Sequence, residues 1–189
     1  MNFNSHVDSV ITAAVNLVNA VTPGEARGRA FEQPAGDDLR TSVIEALTSA
    51  NPGVRVPSAA QAADLAVVAG RLRAVFDAVD HGDVDSAATR VNTLLAETGA
   101  RPQLDRHDGE PWHMHFHAST DSLADGWAAG CATGLAIVLG TEMYDRLGIC
   151  TAPRCDRVFV DVSRNGTRRF CSTSCQNRVK AAAFRSRQP

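Results

Sequence analysis

Four cysteines near the C-terminal end of the chain constrain its fold more strongly than any other feature of the sequence. They form two pairs, Cys150 with Cys155 and Cys171 with Cys175, and fifteen residues separate the pairs. Four thiolates with this spacing can surround one zinc ion in a tetrahedron. A segment this short buries too little apolar surface to fold without help, so metal binding would provide much of its folding free energy. We therefore predict one structural Zn²⁺ held by these four residues.

Two disulfide bonds could use the same four cysteines. The start of the chain has no apolar segment that would direct export, so we expect the protein to reside in the reducing cytoplasm. The spacing and this expectation favour zinc. No run of residues is long and apolar enough to cross a membrane. The fifth cysteine, Cys131, lies in a run rich in Ala, Gly and Leu, and we expect it to be a small buried apolar residue.

The sequence between and after the cysteine pairs predicts a small hairpin and a helix. Residues 157–162 alternate in the manner of a strand, and Asn165-Gly166 is a favoured tight-turn pair. Residues 167–170 would then return to the second cysteine pair. Serine and threonine follow Cys171 and can cap a helix over residues 176–187. The predicted module is a hairpin and a helix joined by zinc.

Charge is distributed unevenly along the chain. Residues 1–149 contain 10 Arg and 19 acidic residues, a net charge of −9, whereas residues 150–189 contain 9 basic and 2 acidic residues, a net charge of +7. A zinc ion with four thiolates carries about −2, which leaves the tail near +5. An acidic body with a basic tail is typical of a nucleic-acid-binding module on a separate body. A tail that only docks on the acidic body would show the same charges.

The basic residues of the tail are candidate contacts to double-stranded DNA. Arginine pairs well with guanine and asparagine with adenine in the major groove, and the hairpin arginines would hold phosphates. The candidate DNA contacts are Arg164, Arg168, Arg169, Asn177, Arg178, Lys180, Arg185 and Arg187.

The tail also carries a set of recognisable motifs. They are CTAPRC at 150–155, FVDVSRNG at 159–166, RRFC at 168–171 and CQNR at 175–178. Together they resemble the CGNR zinc-finger family over residues 146–187. Gln176 stands in place of the glycine that gives the family its name.

The resemblance implies a fold and a function. Members of the family look like bacterial transcription regulators, with an N-terminal domain called ABATE and a C-terminal finger expected to bind DNA. Val18-Asn19 followed by Pro23-Gly24-Glu25 is similar to a pattern in that first domain. The resemblance therefore implies an ABATE-like domain over residues 1–147, which senses a ligand or mediates dimerisation, and a finger over residues 148–189.

The body is predicted to be mainly helical, so the fold class is α+β, mainly α. Apolar residues recur at helical spacing along most of residues 1–147. The predicted helices cover residues 5–20, 39–48, 59–79, from Asp83 or Asp85 to Gly99, and 122–140. Residues 24–36, rich in Gly, Arg and polar residues, are predicted to form a loop.

One hairpin with three histidines interrupts the helical pattern. Residues 102–106 and 110–117 predict two strands around an Asp-Gly turn, and alternation places the three imidazoles on one face. They could bind a metal or an anionic ligand, sense pH, or form a polar face that meets solvent or a helix. Neighbours on one strand face lie about 6.5–7 Å apart, so only two could readily share an ion without help. The candidate pocket residues are His113, His115, His117 and Trp127.

These features predict a bacterial DNA-binding transcription regulator that uses a zinc finger and a basic helix and responds to a ligand or to stress through its N-terminal domain. The predicted partners are double-stranded DNA, a small-molecule effector and a second copy of the chain; the expected location is the cytoplasm, on the nucleoid when DNA is bound. The sequence has no nucleophile elbow, phosphate-binding glycine loop or HExxH motif, and four cysteine ligands leave zinc no position for a catalytic water. We therefore expect no enzymatic activity. The alternative is a zinc-stabilised protein-interaction module without sequence-specific DNA binding.

Overall fold

The structure is a computed structural model that describes residues 5–106 and 112–187, apart from the side chains of Ser5, His6 and His113. In this part of the chain, α-helices form most of the regular structure, with three two-stranded antiparallel sheets and a 3-10 helix at Tyr144–Arg146. The predicted fold class, α+β and mainly α, is confirmed. The helices are α1 (Ser5–Val21), α2 (Gly36–Thr48), α3 (Ala59–Asp80), α4 (Val84–Thr98), α5 (Leu123–Leu139) and α6 (Thr173–Arg185). The strands are β1 (Gly24–Ala26), β2 (Arg29–Phe31), β3 (Arg101–Asp105), β4 (His113–His117), β5 (Leu147–Ile149) and β6 (Val158–Val160).

Helices α1, α3 and α5 form the centre of the body. α1 contacts α2, α3 and α5, and α3 also contacts α4. The predicted apolar stripes face this core, where Leu17 and Phe76 are fully buried. α1 and α5 approach closely because Gly134 has no side chain; a Cβ there would lie 3.0 Å from side-chain atoms of both Val10 and Ile11. None of the helices in the described residues combines the length and apolarity that a membrane span requires.

The segment that leaves α1 is a hairpin rather than the predicted loop. Strands β1 and β2 pair antiparallel within residues 24–36. The turn between them contains Arg27 and Gly28, both with positive φ. The strands are only three residues long and lack a clear apolar alternation, so no periodic signal predicted them. Backbone contacts to the zinc module, described below, hold the hairpin in place.

The sheet of the zinc module uses a different partner from the predicted one. β6 lies within the predicted strand, but it pairs with β5, not with residues 167–170 beyond the Asn165-Gly166 turn. All three β6 residues are buried, so the strand needs an apolar neighbour, and Leu147 and Ile149 provide it. Residues 167–170 are mostly polar and exposed. The prediction of a hairpin around Asn165-Gly166 is therefore wrong.

The zinc module shares its core with the helical body. Leu147, Val158 and Val160 belong to the same buried apolar cluster as the helices, and the β5–β6 sheet contacts α1 and α3. The predicted division at 147/148 falls inside β5. Because no free linker separates the two parts, the body fixes the orientation of the module.

Candidate zinc centre and nucleic-acid interface

The four predicted zinc ligands converge on one point. The Sγ atoms of Cys150, Cys155, Cys171 and Cys175 all lie within 4.8 Å of one another. Cys155–Cys171 and Cys171–Cys175 are 3.8 Å apart, and Cys155–Cys175 are 3.6 Å apart. Sulfurs at the corners of a tetrahedron around zinc, with Zn–S bonds of about 2.3 Å, would be roughly 3.8 Å apart. A disulfide needs an S–S distance of about 2.05 Å, so this arrangement fits one structural zinc ion and no disulfide.

Two local structures deliver the cysteines. Cys150 and Cys155 belong to the turn that joins β5 to β6, which the N–H of Cys150 closes on the carbonyl of Arg157 at 2.9 Å. Cys171 and Cys175 flank the start of α6, where the Ser172 hydroxyl accepts a hydrogen bond from the N–H of Cys175. Ser172 is therefore the helix cap, as the sequence suggested. Because a helix N-terminus favours negative charge, this position suits thiolates.

Arg178 supports the zinc site from α6. Its guanidinium donates to the Pro153 carbonyl at 2.6 Å and approaches the Sγ of Cys175 at 3.9 Å. Burial opposes the charge on Cys175, but hydrogen bonds from Arg178 and from neighbouring thiols outweigh it and lower the pKa of Cys175 to about 7. The thiolate is the form that binds zinc, so Arg178 favours metal binding.

Arg168 has a similar internal role. Its guanidinium donates to the carbonyls of Val160, Phe170 and Cys171, at 3.1, 3.0 and 2.6 Å, and lies over the Phe159 ring. Both Arg168 and Arg178 were predicted as DNA contacts from sequence. Both guanidinium groups instead hydrogen-bond backbone carbonyls within the finger and stabilise its fold. Their positive charge alone did not indicate this role.

The other predicted DNA contacts lie on the outside of the finger. Arg164 occupies the turn at residues 163–166, Arg169 follows it, and the rest lie on or just after α6. In residues 5–106 and 112–187, none of the five cations in this group forms an ion pair with a carboxylate. Besides Arg168, which is exposed although its guanidinium bonds within the finger, the exposed predicted contacts are Arg164, Arg169, Asn177, Lys180, Arg185 and Arg187.

The β1–β2 hairpin extends this basic surface onto the body. The N–H of Gly28 donates to the Arg154 carbonyl at 2.8 Å, which places the exposed Arg27 and Arg29 beside the finger. The guanidinium of Arg178 lies against Gly28, about 3.0 Å from where a Cβ would stand. Sequence analysis missed these two arginines because they are distant from the finger along the chain.

Arg157 and Asn19 join the finger to the body. Arg157 is only 4% exposed, and its guanidinium donates to the carbonyls of Asn19, Thr22 and Pro23 at the end of α1. The same guanidinium pairs with Asp156 at 2.6 Å. The Asn19 side chain hydrogen-bonds both the N–H and the carbonyl of Val158, as a neighbouring strand would. In the sequence, Asn19 stood out only as part of the Val18-Asn19 pattern, which gave no sign of this joint.

Two family models match the chain. Residues 146–188 match the CGNR zinc finger, and residues 11–142 match ABATE, whose description is "Putative stress-induced transcription regulator". The second match covers well over half of the chain. The chain belongs to the ABATE family. The CGNR finger at its C-terminal end confirms the resemblance found in the motifs. No curated protein matches the chain.

The ABATE domain contains a cavity of about 410 Å³ beside the histidine strand. His115, His117 and Trp127 line it together, as does Arg55. Gly126 also lines the cavity, and no atom lies within 4 Å of the position that a Cβ would take there. The side chain of His113, the fourth predicted pocket residue, lies outside the described residues, as does the predicted Asp-Gly turn. The buried Cys131 belongs to α5 behind this cavity, and burial raises its pKa to about 12, as expected for a structural thiol.

Asp161 organises the loop that carries Arg164. The residue is 3% exposed, and its carboxylate accepts hydrogen bonds from the N–H groups of Ser163 at 2.8 Å and Arg168 at 2.7 Å. Burial opposes the charge on Asp161, but these hydrogen bonds outweigh it and hold its pKa below the usual range. Arg146 closes the same loop by donating to the Ser163 carbonyl at 2.7 Å.

We expect Asp161→Ala to lower the free energy of unfolding by about 1–2 kcal/mol, because two part-buried N–H groups lose their acceptor. Urea denaturation followed by circular dichroism measures the change. Asp161→Asn keeps one acceptor oxygen and should give an intermediate loss. An alanine variant as stable as the wild type would contradict this role for the carboxylate.

Proposed function

We propose that this ABATE protein is a transcription regulator that binds double-stranded DNA through its CGNR finger. The observation that carries the proposal is the group of five exposed cations on the zinc-bound module, none paired with a carboxylate in the described residues. No carboxylate in the described residues compensates their charge, so a polyanion is a fitting partner. The ABATE description as a regulator supports the same conclusion.

The contacts divide the basic residues into two roles. Arg164 and Arg169 lie in the loop before α6, in a position to hold phosphates, while Asn177, Lys180 and Arg185 project from α6 itself. An exposed helix with arginine and asparagine is suited to the major groove, where these side chains pair with guanine and adenine. Arg168 and Arg178 act indirectly, because their guanidinium groups position the loop and the helix.

The ABATE domain would provide regulation. Its cavity, lined by Trp127, His115 and His117 among others, has a size and a mixed lining suited to a small-molecule effector. Because the finger and the body share one core, a ligand that shifts α1 or α5 would reach the DNA-binding surface without crossing a flexible linker. A homodimer would double the contacts and direct the protein to two-fold symmetric sites. A regulator of this kind acts in the bacterial cytoplasm, on the nucleoid.

Binding to DNA should weaken steeply with salt. Selection from a random DNA library with the intact chain would supply the probe, with Cys171→Ser/Cys175→Ser as the zinc-free control. We expect log K to fall linearly with log salt, and each phosphate-contacting cation that is removed should make the slope shallower by about 0.9. Arg169→Ala and Lys180→Ala test this expectation by fluorescence anisotropy at several salt concentrations.

A matched control for these variants is Arg90→Ala, which removes an exposed arginine from α4, outside the finger. It should leave the slope unchanged. If Arg169→Ala and Lys180→Ala leave the slope at the wild-type value, the proposed interface is wrong.

A protein-interaction module is the second candidate, because α6 exposes Phe184 to 63% of its full area beside the basic residues. An exposed aromatic ring is common at protein interfaces. In that case no sequence-preferring DNA would be recovered, and Phe184→Ala rather than the cation variants would abolish partner binding. The two family descriptions name a regulator and a zinc finger, not a catalyst.

A further inference from the structure

A second cluster of metal-binding side chains lies on the β3–β4 ribbon of the ABATE domain. One ligand atom each from Asp105, His115 and His117 lies within 4.8 Å of the others. The Nε2 of His117 is 2.8 Å from the Oδ2 of Asp105, and the rings of His115 and His117 stack with centroids 5.8 Å apart. Three donor atoms therefore face a common point outside the zinc finger.

The register of the ribbon places these three residues on one face. β3 and β4 pair antiparallel, with Gln103 opposite His115 and Asp105 opposite His113. Since side chains alternate across a strand, the odd-numbered residues of both strands share one face. The two histidines alone supply two ligands, and the neighbouring strand supplies the third. The strand pairing, which brings in Asp105, is not visible in the spacing of the histidines.

We propose that Asp105, His115 and His117 form a binding site for a divalent first-row transition metal ion. Imidazole nitrogens suit zinc, copper, nickel and iron, whereas magnesium and calcium prefer oxygen ligands throughout. The site differs from the zinc site of the finger in the type of its ligands and in the number of coordination positions that the protein fills. Four thiolates complete the coordination of the structural zinc, but two imidazoles and a carboxylate leave at least one position open.

The open position gives this site a use that the finger lacks. His115 and His117 also line the 410 Å³ cavity, so an ion bound to them lies at the cavity wall. An exogenous oxygen, nitrogen or sulfur atom in the cavity could then complete the coordination. The metal ion would then line the proposed effector pocket and could bind the effector directly. This inference concerns the ABATE domain alone and does not depend on DNA binding by the finger.

Metal stoichiometry and a cobalt spectrum test the proposal on the full chain with its structural zinc in place. We expect equilibrium dialysis against Co²⁺, followed by elemental analysis, to find one zinc and one cobalt per chain. The visible cobalt bands should be those of nitrogen and oxygen ligands, without the thiolate charge-transfer bands that exchange into the finger would produce. His115→Ala and His117→Ala should lose the cobalt, and Asp105→Asn should weaken its binding by about tenfold or more, as loss of even supporting ligands does.

His81→Ala is the matched control, because His81 is exposed at the end of α3 and lies outside the cluster. This variant should bind cobalt as the wild type does. Circular dichroism and zinc content establish that each variant is folded. Two results would overturn the proposal: no cobalt bound to folded wild-type protein, or a cobalt equivalent that survives in both His115→Ala and His117→Ala. Either would leave the His117–Asp105 contact as a simple surface ion pair.

Discussion

Cys175→Ser should release the zinc, unfold the CGNR finger and destabilise the ABATE core as well. Cys175 is fully buried, and its Sγ lies within 3.8 Å of those of both Cys155 and Cys171. Structural zinc in finger peptides contributes roughly 10–16 kcal/mol of folding free energy at pH 7. Elemental analysis should find less than one zinc per chain, and the proposed DNA binding should be lost with the fold of the finger.

The loss should extend beyond the finger because β6 contributes to the common core. Val158 and Val160 are buried against the helices, and only a short turn separates β6 from Cys155. Without the metal, the turn that contains Cys155 is no longer fixed, and β6 is held less firmly at its N-terminal end. We therefore expect calorimetry to show a lower melting temperature for the whole protein, not only the loss of a small separate transition.

Cys131→Ala provides the matched control. Cys131 is also fully buried, but it belongs to α5, where its thiol donates to the Val10 carbonyl at 3.5 Å. This variant should keep one zinc per chain and DNA binding, with a modest loss of stability. If Cys175→Ser retains one zinc and the melting temperature of the wild type, the assignment of the ligands is wrong.

Sequence patterns predicted the parts of this protein whose signals are local. The four cysteines and their spacing predicted the zinc site, and apolar periodicity predicted five of the helices because each buries one continuous stripe. The predicted α6 also forms, beginning at Thr173. In each case the information lies within a few residues of the element that it specifies.

The failures concern pairings between distant segments. β6 could have paired with residues on either side of it, and only the packing of Leu147 and Ile149 against the body selects β5. The same limitation concealed Asp105 as a neighbour of the histidines. Arg168 and Arg169 are both exposed, and charge alone could not show that the Arg168 guanidinium donates to three carbonyls of the finger. The sequence gives the number of cationic side chains, but only the fold determines which carbonyls each of them hydrogen-bonds.

Among substitutions outside the zinc ligands, we expect Arg157→Met to lower the free energy of unfolding the most. The variant removes a buried guanidinium that donates to three carbonyls at the end of α1 and pairs with Asp156. Methionine fills much of the same volume, so the main cost is electrostatic. The Asp156 side chain is 32% exposed and also has Arg73 at 3.8 Å, so the loss falls mainly on the three carbonyls that Arg157 reaches. A buried acceptor left without its donor costs about 1–3 kcal/mol, so together they predict a loss of roughly 2–5 kcal/mol. Urea denaturation should show a loss of this size.

Two further substitutions show whether the geometry of Arg157 or only its charge matters. Arg157→Lys keeps the charge, but an ammonium group cannot reproduce the planar set of donors that reaches several carbonyls together. It should therefore recover only part of the stability. Arg154→Met removes a neighbouring arginine whose side chain is 63% exposed and pairs with Glu25 at 3.1 Å. Exposed pairs contribute about 0–1 kcal/mol, so Arg154→Met should be nearly neutral. Equal losses for Arg154→Met and Arg157→Met would contradict the role of Arg157 as the joint between finger and body.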